Sequence, residues 1–178
     1  MNSAFLILYN FVRFKIKSFG CRNLKVKNIQ LIGINSKLLF HRNSKVRIGK
    51  HCVSDGRFVV ITDDNAILSL GDKVYFNEDC MISCKRSVEI GSGCKFGPNV
   101  KIFDNNHKFD KEYGVSNEHT YDEIKIGENC WIAANVVILK GTSIGKISVV
   151  GAGCVISGNI PEASIVTQNR KLEIERMR

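Results

Sequence analysis

Aliphatic and aromatic residues recur at every sixth position through two stretches of the chain. If each of them is taken as the first residue of a six-residue unit, or hexad, the chain has three hexads in one run and six in another. The first residues of these nine hexads are Ile90, Phe96, Ile102, Ile126, Ile132, Ile138, Ile144, Val150 and Ile156. A period of six matches neither the 3.6-residue period of an amphipathic helix nor the simple alternation of a half-buried strand. It is typical of a solenoid in which each hexad forms one side of a triangular coil. The pattern therefore predicts an all-β fold, a parallel β-helix of hexapeptide repeats.

Two further places in the hexad support this prediction. The fourth place is Gly or Asn in eight of the nine hexads, with Ile147 as the exception. Gly and Asn are the residues that most readily accept a positive φ, which a chain that turns a corner every six residues requires. The fifth place is small or aliphatic in every hexad except the one with Asn106. Such residues suit the narrow corner of a thin core.

The seven cysteines fit the repeat better than they fit a metal site or a disulfide framework. Five of them fall at the fifth place of a hexad, namely Cys52, Cys80, Cys94, Cys130 and Cys154. Free cysteine behaves there as a small buried hydrophobe. Cys21 and Cys84 are left without an assignment, and no CxxC motif occurs. We therefore expect reduced thiols and a cytosolic compartment.

The hexad pattern stops after Ile102 and resumes at Ile126, and the interruption is the main candidate for a functional site. Residues 108–123 are rich in charged and polar side chains, so we expect a loop that leaves the coil. Long loops on a regular scaffold are usually functional. His107 stands where the pattern breaks, and an imidazole, which titrates near neutrality, is a good general base at the mouth of such a loop.

Length and charge narrow the remaining possibilities. The 178 residues predict one domain, divided into an N-terminal segment 1–20, a β-helix 21–167 with the loop 108–123, and a basic tail 168–178. The net charge of +9 has no nucleic-acid motif or aromatic ladder beside it, so we expect no nucleic-acid partner. A phosphate-bearing ligand or an anionic membrane surface suits the charge better.

Residues 1–20 are predicted to form a helix. Apolar residues at near-helical spacing alternate with basic ones, in the order Phe5, Leu8, Val12, Arg13, Lys15, Ile16, Lys17 and Phe19. The apolar run is too short to span a bilayer, and no clear signal-peptide cleavage site follows it. The favoured interpretation is a cap on the open end of the coil. The second interpretation is a basic amphipathic anchor on the inner membrane, which would make a cytoplasmic protein peripheral to that membrane.

Several motifs in a fixed order resemble one family. They are Phe76-Asn77, Gly97-Pro98-Asn99-Val100, His107, Ile126–Asn135, Lys140–Gly145, Val150–Val155 and Ile160-Pro161. Over about residues 70–167 the chain resembles the hexapeptide-repeat O-acetyltransferases, which include galactoside, maltose and nodulation acetyltransferases and those of bacterial surface polysaccharides. The resemblance implies a left-handed β-helix and the transfer of an acetyl group from acetyl-CoA to a sugar hydroxyl, without a metal ion.

The resemblance also implies roles for single residues. His107 is the expected catalytic base, and Glu118 is the expected carboxylate that orients it. Asn77 and Trp131 are expected to line the pocket of the acetyl group and the acceptor.

Coenzyme A is expected along the last coils. The residues implied in its binding are Ala133, Lys140, Lys146, Gly151, Arg170 and Lys171. Three departures affect this part of the resemblance. Ala133 stands where the family has Gly, Lys140 where it has Pro, and Gln168-Asn169-Arg170-Lys171 replaces Gly-Asn-Pro-Ala.

The family further implies a homotrimer with active sites between subunits and a sugar or sugar-nucleotide acceptor. Three alternatives stay open. A catalytically inactive scaffold would explain the altered tail, a γ-class carbonic anhydrase shares the coil but needs three histidines on zinc, and serine acetyltransferase carries a large N-terminal helical domain.

Overall fold

A computed structural model describes residues 3–168 as one helix followed by short strands. The helix α1 spans Ser3–Gly20. The strands are β1 (Asn23–Val26), β2 (Leu31–Ile32), β3 (Lys37–Leu39), β4 (Lys45–Ile48), β5 (Val53–Ser54), β6 (Phe58–Thr62), β7 (Ile67–Leu70), β8 (Tyr75–Phe76), β9 (Cys80–Cys84), β10 (Ser87–Ile90), β11 (Lys95–Phe96), β12 (Lys101–Phe103), β13 (Asn105–Asp110), β14 (Gly114–Tyr121), β15 (Ile124–Ile126), β16 (Trp131–Ile132), β17 (Val137–Leu139), β18 (Ser143–Ile144), β19 (Val149–Val150), β20 (Val155–Ile156), β21 (Asn159–Ile160) and β22 (Ile165–Val166).

Successive strands join three different parallel sheets in rotation, which makes the chain a β-helix. The first sheet has the order β1-β4-β7-β10-β15-β18-β21, and the second has the order β2-β5-β8-β11-β16-β19-β22. The third has the order β20-β17-β12-β9-β6-β3. Every strand in these sheets therefore pairs with a strand one coil earlier or later. The predicted all-β solenoid is confirmed.

The first place of each hexad forms the core of the coil. All nine predicted residues, from Ile90 to Ile156, are buried. Three phenylalanines also stack inside the coil. The ring centroids of Phe58, in the third sheet, and Phe76, in the second sheet, lie 4.2 Å apart, and those of Phe76 and its paired residue Phe96 lie 4.7 Å apart. Because aligned parallel strands place equivalent residues directly above one another, a single sequence period becomes a continuous ladder of side chains.

The cysteines belong to this core. All seven are free and buried, including Cys21 and Cys84, which the hexad pattern left unassigned. Burial raises the pKa of Cys52 to about 11, and burial together with the nearby Asp104 carboxylate raises the pKa of Cys84. Thiols held in the protonated form are poor nucleophiles. The prediction that the cysteines are small core residues is confirmed.

The fourth place of the hexad turns the corners. Seven of the nine predicted residues have positive φ, namely Gly93, Asn99, Asn129, Asn135, Gly141, Ile147 and Gly153. Ile147 is the only one of these residues that is neither Gly nor Asn. Its φ is 61°, a conformation in which a β-branched side chain clashes with the backbone. Its side chain is also 59% exposed, so it contributes little to the core. The corner after β18 therefore carries avoidable strain.

We expect Ile147→Asn to stabilise the protein by about 1 kcal/mol, because Asn accepts the left-handed conformation more readily than isoleucine does. Urea unfolding measures this. The control is Ile165→Asn, at an exposed isoleucine without positive φ, which should leave the stability unchanged or slightly lower it. A midpoint for Ile147→Asn at or below that of the wild type would show that the corner is not strained.

Helix α1 packs along the first coil with one side only. Its buried residues are Asn10 and Phe14. The Nδ2 of Asn10 donates to the Ile32 carbonyl at 2.8 Å, and Arg13 donates to the carbonyls of Gly33, at 3.3 Å, and Ser36. The apolar residues that predicted the helix lie on its other side, with Phe5, Leu8, Val12, Ile16 and Phe19 all exposed. The helix does contact the first coil, but not through the stripe from which the cap was predicted.

Candidate active site

The interruption of the hexads is a β-hairpin. Strands β13 and β14 pair in antiparallel fashion, with His107 opposite His119 and an irregularity in the ladder between His107 and Phe109. The hairpin leaves the coil after β12 of the third sheet and returns into β15 of the first. The expected excursion thus has its own secondary structure and begins a few residues earlier than the predicted loop 108–123.

A buried carboxylate fixes the base of the hairpin. Asp104, the residue before β13, is fully buried. Its Oδ1 accepts the backbone N–H of Lys85 at 2.8 Å, and its Oδ2 accepts those of Arg86 at 2.7 Å and Ser87 at 2.9 Å. The side chain of Asn105 donates to Oδ1 at 2.9 Å. One carboxylate therefore satisfies the turn of the previous coil and sets where the hairpin starts, a role that the sequence analysis missed.

His107 lies exposed on the hairpin, three residues beyond this anchor. Its Nδ1 lies 3.1 Å from the carbonyl oxygen of Ser116 on the opposite strand. A carbonyl can only accept, so this hydrogen bond requires the proton on Nδ1. The Nε2 atom then carries the lone pair. An imidazole held in this tautomer is prepared to take a proton at Nε2.

A second histidine packs against the first. The ring centroids of His107 and His119 are 4.2 Å apart, with the planes inclined at 41°. Desolvation lowers the pKa of His119, and the positive charges of Lys85 and His107 lower it further. Both effects favour the neutral form of His119. A neutral neighbour supports the His107 ring by packing and does not oppose the positive charge that His107 gains as a base.

The structure does not bring the expected orienting carboxylate to His107. Glu118 binds Lys108 instead, with 2.6 Å between Oε2 and Nζ. Both side chains lie one residue away from the paired histidines, and side chains alternate between the two faces of a strand. The Lys108 ammonium also lowers the pKa of Glu118. Within the chain, the Ser116 carbonyl takes the position beside His107 that we expected Glu118 to hold.

The other predicted pocket residues lie together on the second sheet. Trp131 begins β16 and is 54% exposed, between Lys95 and Val149 in the neighbouring strands. Three predicted residues, Asn77, Ala133 and Gly151, each come directly after a strand of this sheet. Their backbone N–H groups donate to the carbonyls of Phe96, Val150 and Val166, respectively. Trp131 and this edge therefore share one side of the coil. His107 belongs to the hairpin at a different corner, between the third sheet and the first.

The predicted cofactor cations are dispersed. Lys140 follows β17, whose Leu139 pairs with Phe103, so it lies beside the start of the hairpin. Lys146 follows β18 at the corner between the first and second sheets, with its Nζ 3.6 Å from Glu162. Arg170 and Lys171 lie outside the described residues. A single chain thus places Lys140 on the side of His107 and Lys146 away from it.

Comparison with known proteins agrees with the repeat. Residues 123–158 match the family described as bacterial transferase hexapeptide (six repeats). A Mycobacterium tuberculosis protein named as an acetyltransferase is 33% identical over 139 residues, which cover 67% of this chain and 45% of that protein. The chain therefore resembles acetyltransferases that are built on hexapeptide repeats.

Two further acetyltransferases are similar to the chain. An Escherichia coli protein named for O-acetyl transfer in lipopolysaccharide biosynthesis is 30% identical, covering 71% of this chain and 65% of its own length. A galactoside acetyltransferase solved with coenzyme A has a TM-score of 0.50 and 26% identity, covering 77% of this chain and 60% of that one. The chain spans about half the length of the first curated relatives it matches.

The family match includes some site residues and omits others. The matched segment 123–158 contains Trp131, Ala133, Lys140, Lys146 and Gly151. The hairpin with His107 precedes it. The family match therefore covers part of the repeat scaffold, whereas the assignment of a base depends on the hairpin geometry.

Proposed function

We propose that the chain transfers an acetyl group from acetyl-CoA to a sugar hydroxyl, with His107 as the general base. The observation that carries this proposal is the hydrogen bond between the Nδ1 of His107 and the Ser116 carbonyl, which leaves Nε2 free. The exposed ring on a hairpin outside a rigid coil is accessible to a substrate. A general base needs both a free lone pair and reach to the hydroxyl proton.

The proposed reaction is a direct transfer. The acceptor oxygen attacks the thioester carbonyl carbon while Nε2 takes the hydroxyl proton. The tetrahedral intermediate collapses as the carbon–sulfur bond breaks, and His107 returns the proton to the leaving thiolate. Products are the acetyl ester and coenzyme A. No covalent intermediate on the enzyme is needed, in agreement with the burial of the cysteines.

For the donor, we propose that coenzyme A lies along the edge formed by Asn77, Ala133 and Gly151. Backbone carbonyls and small residues on this edge allow a pantetheine chain to approach closely. Gly97 shows how tight the stacking is, since a Cβ there would meet the backbone nitrogen of Ala134 at 2.7 Å. The galactoside acetyltransferase with a similar fold was solved with coenzyme A bound. Trp131 would form one wall of the same pocket.

For the acceptor, we propose a sugar of a surface polysaccharide or its nucleotide-linked precursor. This rests on the relatives, one named for lipopolysaccharide biosynthesis and another for galactoside acetylation. The cation Lys140 near the hairpin base favours an acceptor or donor that carries phosphate.

We further propose that the active site forms between subunits of a homotrimer. His107 at one corner and the Asn77–Trp131 side at another cannot line one pocket within a single chain. Rotation of three copies about an axis parallel to the coil would bring the hairpin of one copy to the second sheet of the next. Closed cyclic assemblies of this kind are common for homo-oligomers.

The test is release of thiol from acetyl-CoA with a panel of sugars and sugar nucleotides, together with the mass from light scattering. Acceptor-dependent release by a trimer is the expected result. Absence of release with every acceptor would favour an inactive scaffold. Stoichiometric zinc with hydration of carbon dioxide would favour the carbonic anhydrase alternative. A fully active monomer would disprove the shared site.

A further inference from the structure

The face of α1 that points away from the coil is an exposed apolar stripe. We define the stripe as Phe5, Leu8, Val12, Ile16 and Phe19, which are between 49% and 88% exposed. They lie within about 80° of one another around the helix at 100° per residue. Contiguous exposed apolar surface of this kind marks a contact with a partner or a membrane.

The stripe cannot turn inward, because the opposite side of the helix is bound to the coil. Asn10 is fully buried and donates to the Ile32 carbonyl, while Phe14 belongs to the hydrophobic core. Arg13 donates to carbonyls of the loop before β3. These contacts fix the rotation of α1 about its own axis. The apolar stripe is therefore a permanent surface of the folded protein.

Basic side chains border the helix on both sides. One groove of about 490 Å³ between α1 and the first strands is lined by Lys15 and Lys27 together with apolar residues. A second groove, of about 420 Å³, is lined by Arg13, Lys17 and Lys37 on the other side. An apolar centre with cations along both edges is the arrangement of a helix that lies in the plane of an anionic bilayer.

The charge of the whole N-terminal part also favours an anionic bilayer as the partner of this helix. The first 50 residues contain no Asp or Glu. They contain eleven Lys and Arg, namely Arg13, Lys15, Lys17, Arg22, Lys25, Lys27, Lys37, Arg42, Lys45, Arg47 and Lys50. A contact between two copies through this face would place like charges against each other, since a two-fold contact uses the same patch twice. An anionic surface has the complementary charge.

We propose that α1 docks the protein on an anionic membrane surface, with the stripe in the acyl–headgroup boundary and the flanking cations at the lipid phosphates. Among residues 3–168, no helix has the length and apolar character needed to cross a bilayer. The proposed contact is thus peripheral. It goes beyond the proposed transfer reaction and would keep the enzyme next to an acceptor that is attached to lipid.

The test is co-sedimentation of the full chain with vesicles of phosphatidylcholine alone or mixed with phosphatidylglycerol. We expect strong binding to the mixed vesicles and weak binding to the neutral ones. Each cation at the surface should contribute about fivefold to partitioning. Added salt should reduce the binding, because the Debye length falls from about 8 Å at 0.15 M.

Variants identify the surface. Leu8→Glu with Ile16→Glu should reduce binding to the mixed vesicles about a hundredfold, since two apolar side chains leave the boundary. Val155→Glu with Ile165→Glu is the matched control, because these residues are also exposed and lie in the last coils, away from α1. The control should bind as the wild type does. Circular dichroism shows that both proteins are folded.

Three results would overturn the proposal. They are equal binding to neutral and anionic vesicles, unchanged binding by the stripe variant, and a dimer that the stripe variant dissociates while no vesicle binding occurs. The last result would assign the stripe to a second copy. Loss of thiol release in every protein, with vesicle binding intact, would instead contradict only the proposed transfer reaction.

Discussion

His107→Ala should lower the rate of acetyl transfer by roughly 10² to 10⁴, the usual contribution of a general base. The loss should appear mainly in kcat, because the proton is transferred in the chemical step and not on binding. The side chain is exposed, so its removal should leave the stability within about 0.5 kcal/mol of the wild type. Steady-state kinetics of thiol release with a saturating acceptor measure the effect.

Two other histidines serve as controls for this prediction. His119→Ala removes the ring that packs on His107 but leaves the hydrogen bond that the His107 Nδ1–H donates to the Ser116 carbonyl, so it should cost far less than His107→Ala. His41→Ala changes a surface histidine near Asp64 and should have no effect on turnover. Equal losses in His107→Ala and His119→Ala would show that the two rings act as a unit. A larger loss in His119→Ala would exchange the roles proposed for them.

Asp104→Ala should produce the second large effect, on stability as well as on activity. It leaves the backbone N–H groups of Lys85, Arg86 and Ser87 without their acceptor in a partly buried turn. One unsatisfied buried donor costs about 1–3 kcal/mol, so we expect a loss of about 3 kcal/mol or more. Activity should fall further than stability explains, because the hairpin with His107 loses its fixed starting point.

Urea unfolding and hydrogen exchange of the hairpin amides test this prediction together. Exchange at residues 105–121 should accelerate in Asp104→Ala under conditions where the coil remains folded. The control is Asp79→Ala, which removes an exposed aspartate and its ion pair with Arg57 at 2.8 Å. The free energy of unfolding should fall by about 1 kcal/mol or less in Asp79→Ala, even though the alanine then stands at a corner with positive φ. Equal unfolding midpoints for the two variants would show that Asp104 does not anchor the hairpin.

The coil was predictable because one geometric requirement repeats at every corner. Ile132 and Ile138 must point inward for each rung to close, and Asn129 or Gly141 must turn the chain, so the same chemistry recurs every six residues. Burial of Cys94 and Cys130 follows from the same requirement. Even Ile147 obeys the backbone geometry, although its side chain does not suit it.

The orientation of α1 was not predictable from its pattern. A stripe such as Leu8, Val12 and Ile16 has the same spacing whether it faces a protein core or a lipid surface. The contacts that decide the orientation are hydrogen bonds from Asn10 and Arg13 to backbone carbonyls of the first coil. Carbonyl positions in a distant segment leave no periodic signal in the helix itself.

The site was predictable in its location but not in its internal contacts. The interruption of the hexads indicated His107, yet the charged residues around it suggested an irregular loop where the structure has a paired hairpin. The hairpin holds Glu118 in an ion pair with Lys108 and gives His107 a backbone partner instead. An aspartate directly before the break, Asp104, was the available signal for the anchor.

The most direct test of the shared active site is an experimental structure of the protein with coenzyme A. We expect a trimer in which the cofactor lies along the Asn77, Ala133 and Gly151 edge of one subunit. Its sulfur should lie close to the His107 Nε2 of the neighbouring subunit, near enough for an acceptor hydroxyl to contact both at about 3 Å. Coenzyme A bound elsewhere, or with its sulfur remote from every His107, would contradict the proposed active site.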